Sequence, residues 1–168
     1  ILAKEWSSNA FQSETQENQQ KEKAREMIRT YLEWLAANLN SPVAVEQPFQ
    51  IELAGVTFKG FIDRVEATPD GGYEVIDFKT GRVYETSKSI REDPQMNIYA
   101  LGVQKVYGQL PKKASLFYLK EDKIVLYQIE PGQVEKVKQL LEQVTAAILN
   151  EEFDATPSYP ACKNCAYR

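Results

Sequence analysis

Gly60-Phe61-Ile62-Asp63-Arg64-Val65 and, after a short break, Tyr73-Glu74-Val75-Ile76-Asp77-Phe78-Lys79-Thr80-Gly81 decide how this chain folds. Both stretches are rich in β-branched and aromatic residues, and Thr68-Pro69-Asp70-Gly71-Gly72 between them is a cluster of turn formers. The pattern predicts an antiparallel hairpin. A turn centred near Asp70 sets Asp63 opposite Asp77 and Val65 opposite Val75. Side chains alternate along a strand, so Lys79 shares a face with Asp77. Directly opposed β-carbons lie about 4.5–5.5 Å apart, and two like charges at that spacing destabilise a sheet unless something positive lies between them.

A divalent cation supplies that positive charge. Mg²⁺ takes oxygen ligands, commonly one or two carboxylates completed by waters and a substrate's phosphate oxygens. Asp63 and Asp77, helped by the main-chain carbonyl of Phe78, meet that description. Such an ion polarises a phosphoryl oxygen and acidifies bound water, while Lys79 offers an ammonium to position the water or stabilise developing negative charge. The chemistry predicted is metal-assisted hydrolysis of phosphodiesters. Asp-x-Lys alone is most often a solvated strand face. Here it is embedded among Val75, Ile76 and Phe78, in a strand that reads as covered on both sides, where an unpaired charge is costly.

Outward from the hairpin, strands are expected at Val45 to Leu53, Val56 to Glu66 and Tyr73 to Lys79, as a meander. Upstream, Ala24, Met27, Ile28, Tyr31, Leu32, Trp34 and Leu35 recur at helical spacing. They predict one long helix from Ser13 to about Asn38, packing Trp34 on the sheet and ending at Asn40-Ser41-Pro42. Arg82 to Glu92 is polar and reads as a mobile, substrate-contacting loop. Asp93-Pro94 starts a helix, Asp as N-cap and Pro in the first turn. Gln95 and Tyr99 then share one face, Ile98, Leu101 and Val106 form the core side, and Gly108 ends it. Strands near Ala114 to Lys120 and Lys123 to Ile129 follow. A last helix from Pro131 carries Val134, Val137, Leu140, Leu141, Val144 and Ile148. The order α-β-β-β-α-β-β-α is an α/β fold, a mixed sheet flanked by helices. Tyr118 and Tyr127 are expected in the core rather than as platforms for bases.

At 168 residues and 43% hydrophobic content the sequence suits a single domain. Its formal net charge of −4 argues against coating nucleic acid through bulk positive charge, so phosphate contacts must be local. Arg82, Lys88 and Arg91 follow the Asp77–Lys79 pair, and Lys112 with Lys113 forms a second small cluster. There is no apolar run long enough to span a bilayer, the opening Ile-Leu-Ala-Lys-Glu-Trp is not a signal peptide, and a close Cys-x-x-Cys pair is no disulfide framework. A cytoplasmic location is expected.

The succession Gly60-x-x-Asp63-Arg64, Asp77-x-Lys79-Thr80-Gly81, Gln95-x-x-x-Tyr99 and Cys162-x-x-Cys165-x-Tyr167-Arg168 resembles the RecB-like branch of the PD-(D/E)xK nuclease superfamily, from about Trp6 to the last residue. The resemblance implies a restriction-endonuclease-like core with Asp63 and Asp77 as metal ligands and Lys79 as the catalytic lysine. Gln95 and Tyr99 would hold the DNA strand or that lysine. It further implies a Mg²⁺- or Mn²⁺-dependent DNA nuclease, often fused or partnered to a helicase in double-strand-break processing.

Two departures stand out. Members usually carry a His or Glu in a helix before the hairpin, and this sequence has no histidine. Either that helix lies upstream of Ile1 or another carboxylate substitutes. A tight turn at Ala54-Gly55 sets Glu46 opposite Asp63, making Glu46 the candidate third ligand, or else an exposed residue beside Pro48. In iron–sulfur members a late Cys-x-x-Cys is followed by another Cys, with a fourth far upstream. Cys162 and Cys165 are the only cysteines here, and two thiolates complete neither a four-ligand cluster nor a structural zinc site. The pattern reads as a domain trimmed at both ends, its thiols unpaired, in a local disulfide, or half of a lost site. A [4Fe–4S] cluster is expected only in a longer parent. The rival reading is a non-catalytic nuclease-like module that binds DNA or scaffolds a helicase complex.

Overall fold

The computed structural model describes residues 5–38, 42–83, 86–155, 157–158, 162–163 and 165. Five strands form one sheet in the order β1-β2-β3-β4-β5: β1 Ala44–Leu53, β2 Val56–Ala67, β3 Tyr73–Lys79, β4 Lys113–Tyr118 and β5 Lys123–Gln128. The helices are α1 Glu14–Ala37, α2 Ser87–Glu92, α3 Pro94–Tyr107 and α4 Pro131–Leu149. β1, β2 and β3 make an antiparallel meander, β3 pairs with β4 in parallel, and β4 with β5 antiparallel. Parallel neighbours require a crossover, which α2 and α3 supply. The expected α/β mixed sheet flanked by helices is thus the observed one.

The predicted turn fixes the register. Val65 lies opposite Val75, and Thr68 closes the turn by donating to Asp70 (2.5 Å) and accepting from the Gly72 amide (3.0 Å). Lys112 meets Asp70 at 2.6 Å and, with Thr68, holds its carboxyl down to about 2. The β2–β3 ladder ends at Arg64 and Ile76. β3 runs on against β4 alone, with Asp77 opposite Leu116 and Lys79 opposite Tyr118.

One face of the sheet carries the main core, in which Phe49, Ile62, Val65, Val75, Met96 and Leu116 take part. Ile62 and Val65 lie three apart in one strand yet share this core, so simple alternation breaks beside Asp63. Tyr118 and Tyr127 are buried in it, as expected. α3 buries Met96, Ala100 and Val103, whereas Ile98 and Leu101 are half-buried and Val106 is 43% exposed. Ile98 and Leu101 still pack against the core, so of the expected stripe Val106 alone lies outside it. On the buried side the approach is close: a β-carbon on Gly102 would come within 2.7 Å of the Phe49 ring, and one on Gly60 of β2 within 2.8 Å. Phe49 is a wedge between strand and helix, with Gly102 and Tyr99 of α3 packed against it.

The other face is covered by α1. Trp34 packs on Phe78 and Phe117 at ring separations of 5.9 and 5.4 Å, as its helical spacing predicted. Beneath it the Arg64 guanidinium lies 5.2 Å from the indole centre and bonds Glu66 at 2.7 Å, while Ser115 donates to Glu74 at 2.6 Å. The stretch expected to be a mobile loop contains α2. Thr86 and Ser89 form a reciprocal capping box, Ile90 is fully buried, and Arg91 pairs with Glu130 at 2.6 Å. One apolar residue among polar ones is too weak a periodic signal to predict so short a helix.

Candidate active site

Where β2 and β3 part, the strand bonds are replaced by a side chain. The Phe78 amide donates to Asp63 Oδ2 at 2.9 Å, fixing that carboxylate beside the end of β3. Phe78, whose carbonyl was offered above as a ligand, contributes its N–H to this contact. Asp77 and Lys79 project from β3 toward α3. Asp77 is only 3% exposed, and its Oδ2 lies 2.7 Å from Lys79 Nζ.

α3 completes the cluster from its first turn. Asp93 Oδ1 accepts from the amides of Gln95 (2.6 Å) and Met96 (3.3 Å), which sets the angle at which Gln95 leaves the helix. Fully buried Asn97 ties this start down by donating to the carbonyls of Arg91 (3.0 Å) and Asp93 (2.8 Å). Gln95 then bridges everything. Its Oε1 accepts from Lys79 at 2.9 Å, and its Nε2 donates to Asp77 Oδ1 at 3.2 Å and to the Tyr99 hydroxyl at 2.9 Å. The ammonium decides which end of the amide faces it, so the orientation of Gln95 is determined. Tyr99 in turn rests edge-on against Phe49.

Burial pushes the Asp77 carboxyl above its ordinary range; Lys79 opposes the shift, and the neighbouring charges of Asp63 and Asp93 add to it. Burial works against the charge of Lys79, but Asp77, Tyr99 and Asp93 outweigh it and lift its pKa, so the ammonium stays protonated at neutral pH. Burial also raises Tyr99, as do Asp77 and Asp63.

Asp77 Oδ2 is one of two buried side-chain atoms among the described residues with no hydrogen bond, its contact with Lys79 lying outside hydrogen-bond geometry. The Lys79 ammonium is the cation beside that oxygen, and the carboxylate keeps a further lone pair that a metal ion could use. With Asp63 alongside, the donor set fits an ion such as Mg²⁺, which needs only one or two carboxylates from the protein.

Asp63, Asp77, Lys79, Gln95 and Tyr99 are therefore brought together. Glu46, expected as a third ligand, is not: its backbone is left-handed (φ 51°), and the side chain is exposed at the position facing Asp63 in the ladder. Among the described residues no group of three His, Cys, Asp or Glu could hold a metal. Cys162 is half-buried and Cys165 exposed, with no disulfide between them, while Tyr167 and Arg168 fall outside the described residues. Of the cations expected to meet phosphate, Arg91 and Lys112 are engaged by Glu130 and Asp70, whereas Arg82 and Lys88 are exposed. Sequence reasoning identified Asp93 as a cap but missed that its charge reaches Asp77 and Lys79, and it missed the anchoring role of Asn97.

The chain is similar to several known proteins. The chain is 31% identical over 128 residues to the Gene 69 protein of Mycobacterium phage L5, covering 73% of this chain and 42% of that protein. It is 32% identical over 128 residues to the Gene 69 protein of Mycobacterium phage D29, covering 73% and 45%. The chain thus spans less than half the length of these curated relatives. Among solved structures it is similar to the crystal structure of SSO0001, with 25% identity and a TM-score of 0.44 over 72% of this chain and 55% of that one. The family model of the PD-(D/E)XK nuclease superfamily matches residues 1–168, and the chain belongs to that superfamily.

Proposed function

We propose that this domain hydrolyses phosphodiester bonds of DNA with Mg²⁺ or Mn²⁺ held by Asp63 and Asp77. The observation that carries the reading is the gathering of two carboxylates, Asp63 and buried Asp77, beside the single ammonium of Lys79. A divalent ion there supplies Lewis-acid polarisation and an acidified water. Lys79, kept protonated by Asp77, places a positive charge where negative charge develops on the phosphate. Gln95 holds that ammonium in line, and Tyr99 with Phe49 behind it holds Gln95.

The order of motifs supports a RecB-like role in DNA repair, in the cytoplasm, with a helicase domain or subunit as partner. At a net charge of −4 the domain alone grips DNA weakly, so a motor would supply much of the affinity. Cys162 and Cys165 are half the thiolates a [4Fe–4S] cluster takes, so its remaining ligands would come from a longer protein. One observation favours the second reading, a nuclease-like scaffold: among the described residues no third ligand joins Asp63 and Asp77, and Glu46 stays away.

Calorimetric titration with Mn²⁺ beside cleavage of a labelled oligonucleotide separates the two. The catalytic reading expects binding that Asp77→Asn abolishes and Lys79→Ala keeps, with cleavage lost in both. Wild-type protein that takes up no Mn²⁺ overturns it.

A further inference from the structure

One indole on α1 meets, on the face of the sheet away from α3, the residue that follows each proposed metal ligand. Arg64 follows Asp63 on β2, and its guanidinium lies 5.2 Å from the centre of the Trp34 ring. Phe78 follows Asp77 on β3, and its ring lies 5.9 Å from the same indole. We infer that Trp34 is a positioning residue of the metal centre: by holding Arg64 and Phe78 it fixes the spacing of Asp63 and Asp77. The inference rests on the nuclease reading, which makes those two carboxylates ligands.

The fork between β2 and β3 is the first observation. Their last ladder pair is Arg64 with Ile76, and beyond it the Phe78 amide reaches across to Asp63 Oδ2 at 2.9 Å. That bond fixes Asp63 only as firmly as the Phe78 backbone is itself fixed. Alternation along β3 turns the Phe78 side chain away from Asp77 and toward α1. There Tyr31 meets it edge-on at 5.2 Å, Trp34 at 5.9 Å and Phe117 at 6.0 Å, within the range of favourable ring pairs.

The span of the indole is the second. Trp34 touches Arg64 of β2, Phe78 of β3 and Phe117 of β4, the last at 5.4 Å. Where ladder bonds no longer join β2 to β3, this ring does. Arg64 is itself held, 2% exposed and bonded to Glu66 at 2.7 Å, so the indole rests on a fixed partner.

The seating of α1 is the third. No residue of this 24-residue helix is fully buried, and Ile28 and Leu32 are 40% and 54% exposed. A helix serving only as a cover would bury such an apolar stripe. Instead its last turn is closed at the indole: the Trp34 carbonyl accepts from the main-chain amide of Asn38 at 2.9 Å and from its side-chain amide at 2.8 Å.

Two measurements on the full chain test the inference, both well below the melting temperature. In metal-free protein, hydrogen exchange of the Phe78 amide should quicken by about tenfold in Trp34→Ala, while amides of the β4–β5 ladder keep their wild-type rates. In calorimetry the same variant should bind Mn²⁺ about tenfold more weakly. Trp34→Phe keeps a ring on α1, serves should the alanine variant fail to fold, and should show both effects at smaller size. Val137→Ala removes buried apolar volume from α4 and should lower the melting temperature while moving neither readout. Unchanged Phe78 exchange in the folded Trp34 variants overturns the inference; so does wild-type Mn²⁺ affinity in them, or equal losses in Val137→Ala. Wild-type protein that takes up no Mn²⁺ refutes the proposed reaction instead, and Phe78 exchange then decides alone whether Trp34 holds the fork.

Discussion

β3 carries charged side chains on both its faces. Toward α1, Glu74 is bonded to Ser115, and on neighbouring β2 buried Arg64 is bonded to Glu66 beneath Trp34, with no orphaned buried side-chain atom among the described residues. Toward α3, Asp77 shares Gln95 with Lys79 and Tyr99, and its other oxygen meets the Lys79 ammonium. The first side gives each carboxylate its own donor; the second gathers two carboxylates, Asp63 and Asp77, about one ammonium. Charges that satisfy one another hold a fold together, and a surplus of negative charge is what a cation would complete.

The sharpest way to break this contrast is to swap the consequences of mutation. Asp77→Asn should cut Mn²⁺-dependent cleavage at least about 100-fold with the circular dichroism spectrum unchanged; preserved activity would put Asp77 in the structural class. Arg64→Ala should do the opposite, costing about 3 kcal/mol in urea unfolding because Glu66 is left without its partner, while folded protein still binds Mn²⁺. Gly102→Ala, by pushing a methyl into Phe49, should cost about 1–3 kcal/mol and displace Gln95 with the helix, lowering kcat as well. Asp93→Ala removes the cap that aims Gln95 and should cost about 1 kcal/mol of stability. The smallest effect is one of pH. Because burial raises the Asp77 pKa, the wild type binds this proton more tightly folded than unfolded. Stability from it is present below the ordinary carboxylate range and lost as pH rises through the raised value. The melting temperature of metal-free Asp77→Asn should therefore gain on the wild type across that rise, and a constant gap would contradict the shift.

Much of this was legible in the residues themselves. Thr68 to Gly72 specified a turn, the turn specified the register, and the register faced Val65 with Val75 and brought Asp63 to the end of β3. Asp93 capped α3 as its chemistry predicts. Positions that depend on three-dimensional neighbours were not legible. Glu46 has the register of a ligand, but its left-handed backbone turns it out. α3 packs so closely on a single ring of β1 that a β-carbon at position 102 would meet it, which helical periodicity cannot register. Ile90 sinks one short helix that polarity alone disguised as loop.

The early end of the β2–β3 ladder has a consequence for assembly. Past Ile76 the backbone bearing Asp77 and Lys79 has, among the described residues, β4 as its only strand partner, and β4 lies more than thirty positions downstream (Asp77 against Leu116) across a helical crossover. A ribosome extruding this chain would release the whole meander before the strand that steadies the end of β3 exists. The hairpin can thus form early, and the cluster of Asp63, Asp77 and Lys79 is complete only when the crossover closes.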